Sequence, residues 1–119
     1  NLPQACFAEI NQPISKKVDV EIHCPTTCPR YAARLIDNVE IGKSPNWMIR
    51  RLESVGMRAI NNVVDITNYV LLETGHPLHA FDFGLIEGDK IVVRESRAGE
   101  KFVTLDDKEH QLADGTVLI

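Results

Sequence analysis

The chain has 119 residues, of which 44% are hydrophobic and 25% are charged, and its 13 basic and 17 acidic side chains give a formal net charge of −4 at pH 7. This is typical of one globular domain that buries a single core without disulfide bonds. The sequence lacks the run of roughly 18 apolar residues that a membrane-spanning helix needs, and its polar, proline-containing start is unlike a signal peptide. We therefore expect a cytoplasmic protein with no membrane partner.

The two ends of the sequence indicate a piece of a longer protein. The first residue is not Met, and the sequence stops inside the apolar run 116–119, where a strand is expected. A strand cut at its last residue is an unusual natural terminus, so we expect further chain to follow.

The charges are unevenly distributed along the chain. Residues 30–58 carry six bases and three acids, whereas residues 73–119 carry five bases and ten acids. A protein that grips a nucleic-acid duplex through many phosphates needs clustered Lys and Arg, and this distribution excludes that class. The charge distribution still allows the basic segment 30–58 to contact a few phosphates locally.

The first part of the chain is predicted to form strands. Residues 18–23 alternate apolar and polar side chains, as a half-buried strand does, and the two prolines in 24–29 end the pattern. Residues 31–36 and 39–41 have strand composition and are separated by an Asp-Asn turn signal. We predict a β-hairpin over 31–41.

A helix is predicted after this hairpin. Ser44 is a suitable N-cap, Pro45 fits the first helical position, and Gly56 is a natural end. Apolar residues recur between them at helical spacing, at Met48, Leu52 and Val55.

Residues 61–75 carry conflicting signals. The β-branched residues in this segment favour a strand, but five residues share one helical stripe: Val63, Ile66, Thr67, Val70 and Leu71. Asn62 can cap such a helix with Asp65 three residues later, and Gly75 can end it. The periodicity favours a second, buried helix.

The last part of the chain is predicted to be a β-meander. Short strand patterns separated by turn signals lie at residues 91–94, 101–105, 109–112 and 116–119. Two helices packed on antiparallel or mixed strands, with helices and strands segregated along the chain, place the protein in the α+β class.

The metal-ligating residue types do not form a convincing site. Cys6, Cys24 and Cys28 are too few for a four-ligand zinc centre and are most simply reduced thiols. His76 and His79 lie three apart in an extended, proline-containing segment, where residues at that spacing point to opposite faces. We expect no metal.

Three polar residues allow both a structural and a functional interpretation. His79 is either a core histidine or an imidazole that binds a carbonyl or ribose hydroxyl in a cleft. The hydroxyl of Thr67 either bonds back to its own helix or faces a ligand, and Arg58 is either solvated or bound to a phosphate. Trp47 and Tyr69 are expected in the core, because large aromatic side chains usually are.

Two long strings closely resemble the B3/B4 domain of the bacterial phenylalanyl-tRNA synthetase β-subunit family. They are GMRAINNVVDITNYVLLE at residues 56–73 and PLHAFD at residues 77–82. Shorter strings fit in the same order: CPRY at 28–31, SP at 44–45, AGE at 98–100 and TLD at 104–106. The resemblance implies a lead-in strand segment over 1–27 and the N-terminal part of a B3/B4 domain, truncated at its C-terminus, over 28–119.

The resemblance also implies a function. In that family the domain edits, hydrolysing tyrosine wrongly esterified to the phenylalanine tRNA. By position, His79 and Thr67 match catalytic-pocket residues, Arg58 matches an arginine associated with the tRNA 3′ end, and Asn68 and Asn61 match lining positions with weaker support. A non-catalytic RNA-binding or subunit-docking module is the alternative.

The same resemblance implies partners and cofactors. The partners are the 3′ end of tRNA(Phe) and the α subunit of an α2β2 synthetase. ATP and magnesium serve synthesis in the whole enzyme, and this segment is expected to use no cofactor.

Overall fold

The computed structural model describes residues 7–104 and 107–119. These residues divide into two compact units: a helical unit of residues 7–9 and 36–82, and a strand unit of residues 10–35, 83–104 and 107–119. Both α-helices belong to the first unit and all the described strands to the second. This arrangement confirms the predicted α+β class.

The first helix, α1, spans Asn46–Ser54 and begins one residue later than predicted. Pro45 occupies the N-cap, and no side chain caps the helix, because the Ser44 hydroxyl is bonded to Asp65 instead. The predicted end is confirmed: Gly56 follows the helix with a φ of +81°, a conformation that glycine adopts without steric cost.

The second helix, α2, spans Asn62–Thr74 and packs against α1. The side chain of Asn61 caps it by accepting from the Val64 amide at 3.0 Å, so the cap lies one residue before the predicted Asn62. Gly75 ends the helix as predicted, with a φ of +71° and its amide donating to the Leu71 carbonyl at 2.7 Å.

The predicted burial of α2 is wrong. Asp65 is the one buried residue among its members, and Ile66 on the predicted apolar stripe is 48% exposed. Within the helical unit, the core comes instead from α1, where Met48 and Leu52 are buried. Trp47, which we expected in the core, is 51% exposed.

The predicted hairpin over 31–41 is also wrong, because these residues form no strand. The end of this segment bonds to α2 instead of to a strand. The side-chain amide of Asn62 donates to the Glu40 carbonyl at 2.8 Å, and the Asn62 backbone amide donates to the Gly42 carbonyl at 2.8 Å. Backbone groups satisfied in this way have no need of a sheet partner.

The strand unit contains two small sheets rather than a meander. Its described residues form five strands: β1 Asp19–Ile22, β2 Lys90–Glu95, β3 Lys101–Val103, β4 Glu109–Gln111 and β5 Val117–Leu118. In the larger sheet, β2 is central, with β1 parallel on one side and β5 antiparallel on the other. The strands β3 and β4 form a separate antiparallel hairpin, and they lie between β2 and β5 in the sequence but not in the sheet.

The central position of β2 explains the departure from a meander. Val93 of β2 is fully buried, and Val18, just before β1, and Leu118, in β5, are also buried. A central strand needs a partner on each edge. One partner of β2 is β1, which lies about 70 residues earlier in the chain and pairs with Val20 opposite Ile91, whereas a meander pairs only strands that follow one another. The predicted strand at 101–105 reaches Val103, and its last residue lies outside the described residues.

Cys24 is buried and Cys28 half-buried, and both are free thiols; Cys6 lies outside the described residues. Among the described helices, none is long and apolar enough to cross a membrane.

We expect the carboxyl group of Glu100 to titrate far below its ordinary range. Both guanidinium Nη atoms of Arg94 donate to it, at 2.9 and 2.6 Å, and the Arg97 amide donates at 2.9 Å. These donors, Arg94 first, lower the pKa of Glu100 from 4.5 to about 2. Because the folded-state pKa is lowered, the pair stabilises the fold fully above about pH 4.5 and loses that contribution as the pH falls towards about 2.

The measurement is an NMR titration of the Glu100 side-chain carboxyl carbon. Replacing Arg94 by methionine should return the midpoint towards 4.5. A midpoint near 4.5 in the unaltered chain would contradict the arrangement of donors described here.

Candidate functional site

The first turn of α2 is joined to two loops by polar contacts, which we call the polar clasp (Ser44, Ile60, Asn62 and Asp65). Asp65 is only 1% exposed. One of its carboxylate oxygens accepts from the Ser44 hydroxyl at 2.5 Å, and the other accepts from the Ile60 backbone amide at 2.8 Å. Hydrogen-bonded partners make the burial of a carboxylate energetically tolerable.

Asn62 completes the polar clasp on the other side of the same turn. Its Oδ1 accepts from the Gly42 amide at 3.0 Å, and its Nδ2 donates to the Glu40 carbonyl. Asn62 therefore holds the loop before α1, and Asp65 holds both that loop, through Ser44, and the loop between the helices, through Ile60.

An open cavity of about 520 Å³ lies beside the polar clasp. Ser44, Ile60 and Asp65 line it together with two basic residues, Lys43 and Arg50. The acid Glu53 also lines the cavity, so charges of both signs surround it, and it suits a polar ligand better than an apolar one.

Three of the predicted site residues belong to α2 or its cap. The Oδ1 of Asn61 is engaged in capping, which leaves its NH2 group for other partners. The Thr67 hydroxyl donates to the Val64 carbonyl of its own helix at 2.8 Å, as the structural interpretation of this residue expected. Asn68 follows Thr67 and is half-buried.

The other two predicted site residues are exposed. His79 lies in an extended segment after α2 and stacks on Phe81, with ring centroids 4.1 Å apart and an angle of 27° between the planes. Its exposure rules out the interpretation as a core histidine. Arg58 is exposed in the loop between the helices and forms no hydrogen bond or ion pair with the rest of residues 7–104 and 107–119.

The structure places all five residues in the helical unit, at different points. Asn61, Thr67 and Asn68 share one helix, and the Ile60 anchor ties the loop of Arg58 to that helix. Over the part of the chain that is described, no hydrogen bond or ring contact joins Thr67 to His79. Their joint role stays a prediction.

Comparison with known proteins identifies the family. The model of the B3/4 domain family matches residues 27–119. The chain belongs to the B3/4 domain family.

Three relatives share one name. The B3/4 chain is 52% identical over 98% of its length to the phenylalanine-tRNA ligase beta subunit of Geobacter sulfurreducens, and 57% identical over 90% to that of Geobacter metallireducens. It is 47% identical over 99% of its length to the phenylalanine-tRNA ligase beta subunit of Geobacillus kaustophilus. The chain spans 15%, 13% and 15% of the length of these relatives, respectively.

Sequence reasoning missed the role of Asp65 in this B3/4 chain, although a signal for it existed. Asp65 is the one charged residue between Arg58 and Glu73, in the apolar and neutral stretch that forms most of α2. A lone acid in such a helix is buried only with hydrogen-bond donors supplied by other segments. What the sequence could not name were the donors, Ser44 and the Ile60 amide.

The B3/4 chain also carries an aromatic and cationic cluster that joins α1 to α2. Trp47 and Tyr69 meet edge to face with centroids 5.3 Å apart. The guanidinium of Arg51 lies 5.4 Å from the Trp47 centroid and 5.8 Å from that of Tyr69, and it donates to the Tyr69 hydroxyl. Arg51 thus takes part in the packing of the two helices through cation–π contacts.

No group of three or more His, Cys, Asp or Glu side chains that could hold a metal ion occurs within residues 7–104 and 107–119.

Proposed function

We propose that this B3/4 chain is a segment of a phenylalanine-tRNA ligase β subunit and that it takes part in hydrolysing tyrosine misattached to tRNA(Phe). The observation that carries the proposal is the family match over residues 27–119, joined to relatives of that one name at about half identity over nearly the whole chain.

The chemical need for such a reaction is general. An apolar pocket built for phenylalanine rejects a near-isostere with one added hydroxyl only about a hundredfold. A second site that binds the phenol hydroxyl can supply the rest, because phenylalanine would leave its polar groups unpaired. Water adds to the ester carbonyl carbon, the bond from that carbon to the ribose oxygen breaks, and the ribose oxygen takes the proton.

The hydrogen bond that Thr67 already makes restricts its role in this reaction to that of an acceptor. Its O–H is committed to the Val64 carbonyl, so its oxygen is left as an acceptor, and a ribose hydroxyl is the matching donor. In our proposal, Thr67 holds the terminal ribose in this way.

His79 is free to approach a substrate because its ring is exposed and held on one side by Phe81. A neutral imidazole both donates and accepts, so it can orient a water molecule against the ester carbonyl. Arg58, exposed in its loop, binds the terminal adenosine or its phosphate. Asn68 and the amide of Asn61 supply further polar lining.

The remaining assignments follow from the same proposal. Residues 1–27 lead into the domain, and residues 28–119 form its N-terminal part. The partners are the 3′ end of tRNA(Phe) and the α subunit of an α2β2 assembly in the cytoplasm. ATP and magnesium belong to the synthetic reaction of the whole enzyme.

Removing the Thr67 hydroxyl should slow editing. In the complete synthetase, Thr67→Val keeps the side-chain shape and is expected to reduce hydrolysis of tyrosyl-tRNA(Phe) about tenfold, the effect of one lost hydrogen bond of about 1.4 kcal/mol. Thr67→Ser retains the hydroxyl and should stay near the unaltered rate. The measurement is release of labelled tyrosine, with phenylalanine charging followed in parallel.

One observation favours a second function, a docking module without chemistry of its own. Thr67 already satisfies its donor within α2, as a purely structural threonine does. If the segment is a docking module, the synthetase carrying Thr67→Val should hydrolyse tyrosyl-tRNA(Phe) as fast as the unaltered synthetase. That result would favour docking over editing.

A further inference from the structure

Asp65 connects three segments of the helical unit. Its carboxylate takes one hydrogen bond from Ser44, before α1, and one from Ile60, in the loop between the helices. It belongs to α2 itself, two residues before Thr67 and three before Asn68. A change at this carboxylate therefore acts on the loop and the helix together.

Asp65 itself is unsuited to touch a substrate. Its 1% exposure leaves almost no surface to a ligand, and each carboxylate oxygen already has a protein donor. A general base must come within hydrogen-bonding distance of the proton it removes, and a residue enclosed in this way does not.

The loop between α1 and α2 has few other restraints. Residues 57–61 form no helix or strand. The Met57 amide donates to the Leu52 carbonyl at 3.0 Å, and the next described anchor is the bond from the Ile60 amide to Asp65 at 2.8 Å. Arg58 lies between these two anchors, and its own side chain is held by no hydrogen bond or ion pair within the described ranges.

We propose that Asp65 is a positioning residue for the editing site: by holding the Ile60 amide, it sets where Arg58 stands relative to Thr67 and Asn68 on α2. This inference rests on the proposed function. It adds a residue that acts through the backbone of a neighbouring loop and not on the substrate.

The two bonds of Asp65 should have different consequences. The Ile60 bond holds the loop of Arg58, a binding residue in the proposed function, whereas the Ser44 bond holds the loop before α1. Losing the Ile60 bond should therefore weaken binding of the tRNA 3′ end, and losing the Ser44 bond should not. Because Thr67 and His79 stay on their own segments, the rate at saturating substrate should change little.

The experiment measures KM and kcat for hydrolysis of tyrosyl-tRNA(Phe) by the complete synthetase. Asp65→Ala is expected to raise KM about tenfold, the effect of about 1.4 kcal/mol of lost positioning, with kcat within about twofold of the unaltered enzyme. Asp65→Asn keeps an oxygen for the Ile60 amide and an NH2 for the Ser44 oxygen, so its KM should be close to that of the unaltered enzyme.

Ser44→Ala is the matched control, because it also removes one hydrogen bond from Asp65 but leaves the Ile60 bond intact. Its KM should equal that of the unaltered enzyme. If Asp65→Ala does not assemble into the synthetase, Ile60→Pro removes the donor from the other side, and it too should raise KM.

The outcomes separate this inference from the function on which it rests. An unaltered synthetase that leaves tyrosyl-tRNA(Phe) intact would overturn the proposed function. If the unaltered enzyme hydrolyses tyrosyl-tRNA(Phe) but Asp65→Ala or Ile60→Pro has an unchanged KM, only the positioning role is overturned. An equal rise of KM in Ser44→Ala would also overturn it, because general loosening of the polar clasp would then explain the effect.

Discussion

Replacing His79 by alanine in the complete synthetase should slow hydrolysis of tyrosyl-tRNA(Phe) about a hundredfold and leave phenylalanine charging unchanged. The imidazole is exposed, and its ring is oriented by the stack on Phe81, so it is placed to hold a water or a ribose hydroxyl rather than to support the fold. Losing a group that orients reactants typically costs about two orders of magnitude. The measurement is the first-order rate of tyrosine release under single-turnover conditions.

Two variants make the His79 result specific. His79→Gln keeps a donor and an acceptor at this position and should lie between alanine and the unaltered enzyme. His110→Ala removes an exposed histidine from β4 of the strand unit and should have no effect. Normal clearance by His79→Ala would argue against editing by this segment and for the docking alternative.

Replacing Asp65 by alanine should lower the free energy of unfolding by about 3 kcal/mol. The change leaves the Ser44 hydroxyl, which is 4% exposed, without its acceptor, and an unsatisfied buried group costs about 1 to 3 kcal/mol. It also removes the part-buried hydrogen bond from the Ile60 amide, which contributes about 1 kcal/mol. The measurement is urea unfolding, followed by circular dichroism and by fluorescence of Trp47, the one tryptophan of the chain.

The matched control for the Asp65 result is another acid of α2. Glu73 is exposed in the last turn, where a negative charge opposes the helix dipole, so Glu73→Ala should be neutral or slightly stabilising. Asp65→Asn preserves hydrogen-bonding groups for both partners and should cost about 1 kcal/mol. If Asp65→Ala also lowered the free energy of unfolding by only about 1 kcal/mol, the polar clasp would contribute little to the stability of the fold.

The helices were predictable because the signals that define them are local. The 3.6-residue period outweighed the β-branched composition of α2, and Gly75 marked its end through a backbone conformation that glycine adopts readily. The cap moved by one residue because Asn61 and Asn62 are equally good caps in isolation. Asn62 instead bonds to Gly42 and Glu40, twenty or more residues away.

The strands show where local signals fail. The composition of residues 31–41 is that of a hairpin, but strand pairing needs a partner, and the groups near Gly42 are bonded to α2. Likewise, the strand pattern at residues 91–94 located β2 closely, but nothing in that pattern indicates that the parallel partner is β1, far away in the chain.

The candidate site divides in the same way. The residue types and their order were sufficient to recognise the family and to select His79, Thr67 and Arg58, because a string of residues is a local property of the chain. The Thr67 hydroxyl bonds within α2, which is one of the two alternatives that the sequence leaves open. The exposure of His79 and the bond from Ser44 to Asp65, 21 residues later in the chain, depend instead on how separate segments pack. Those contacts form only when the two helices and their loops pack together, and no single stretch of sequence contains them.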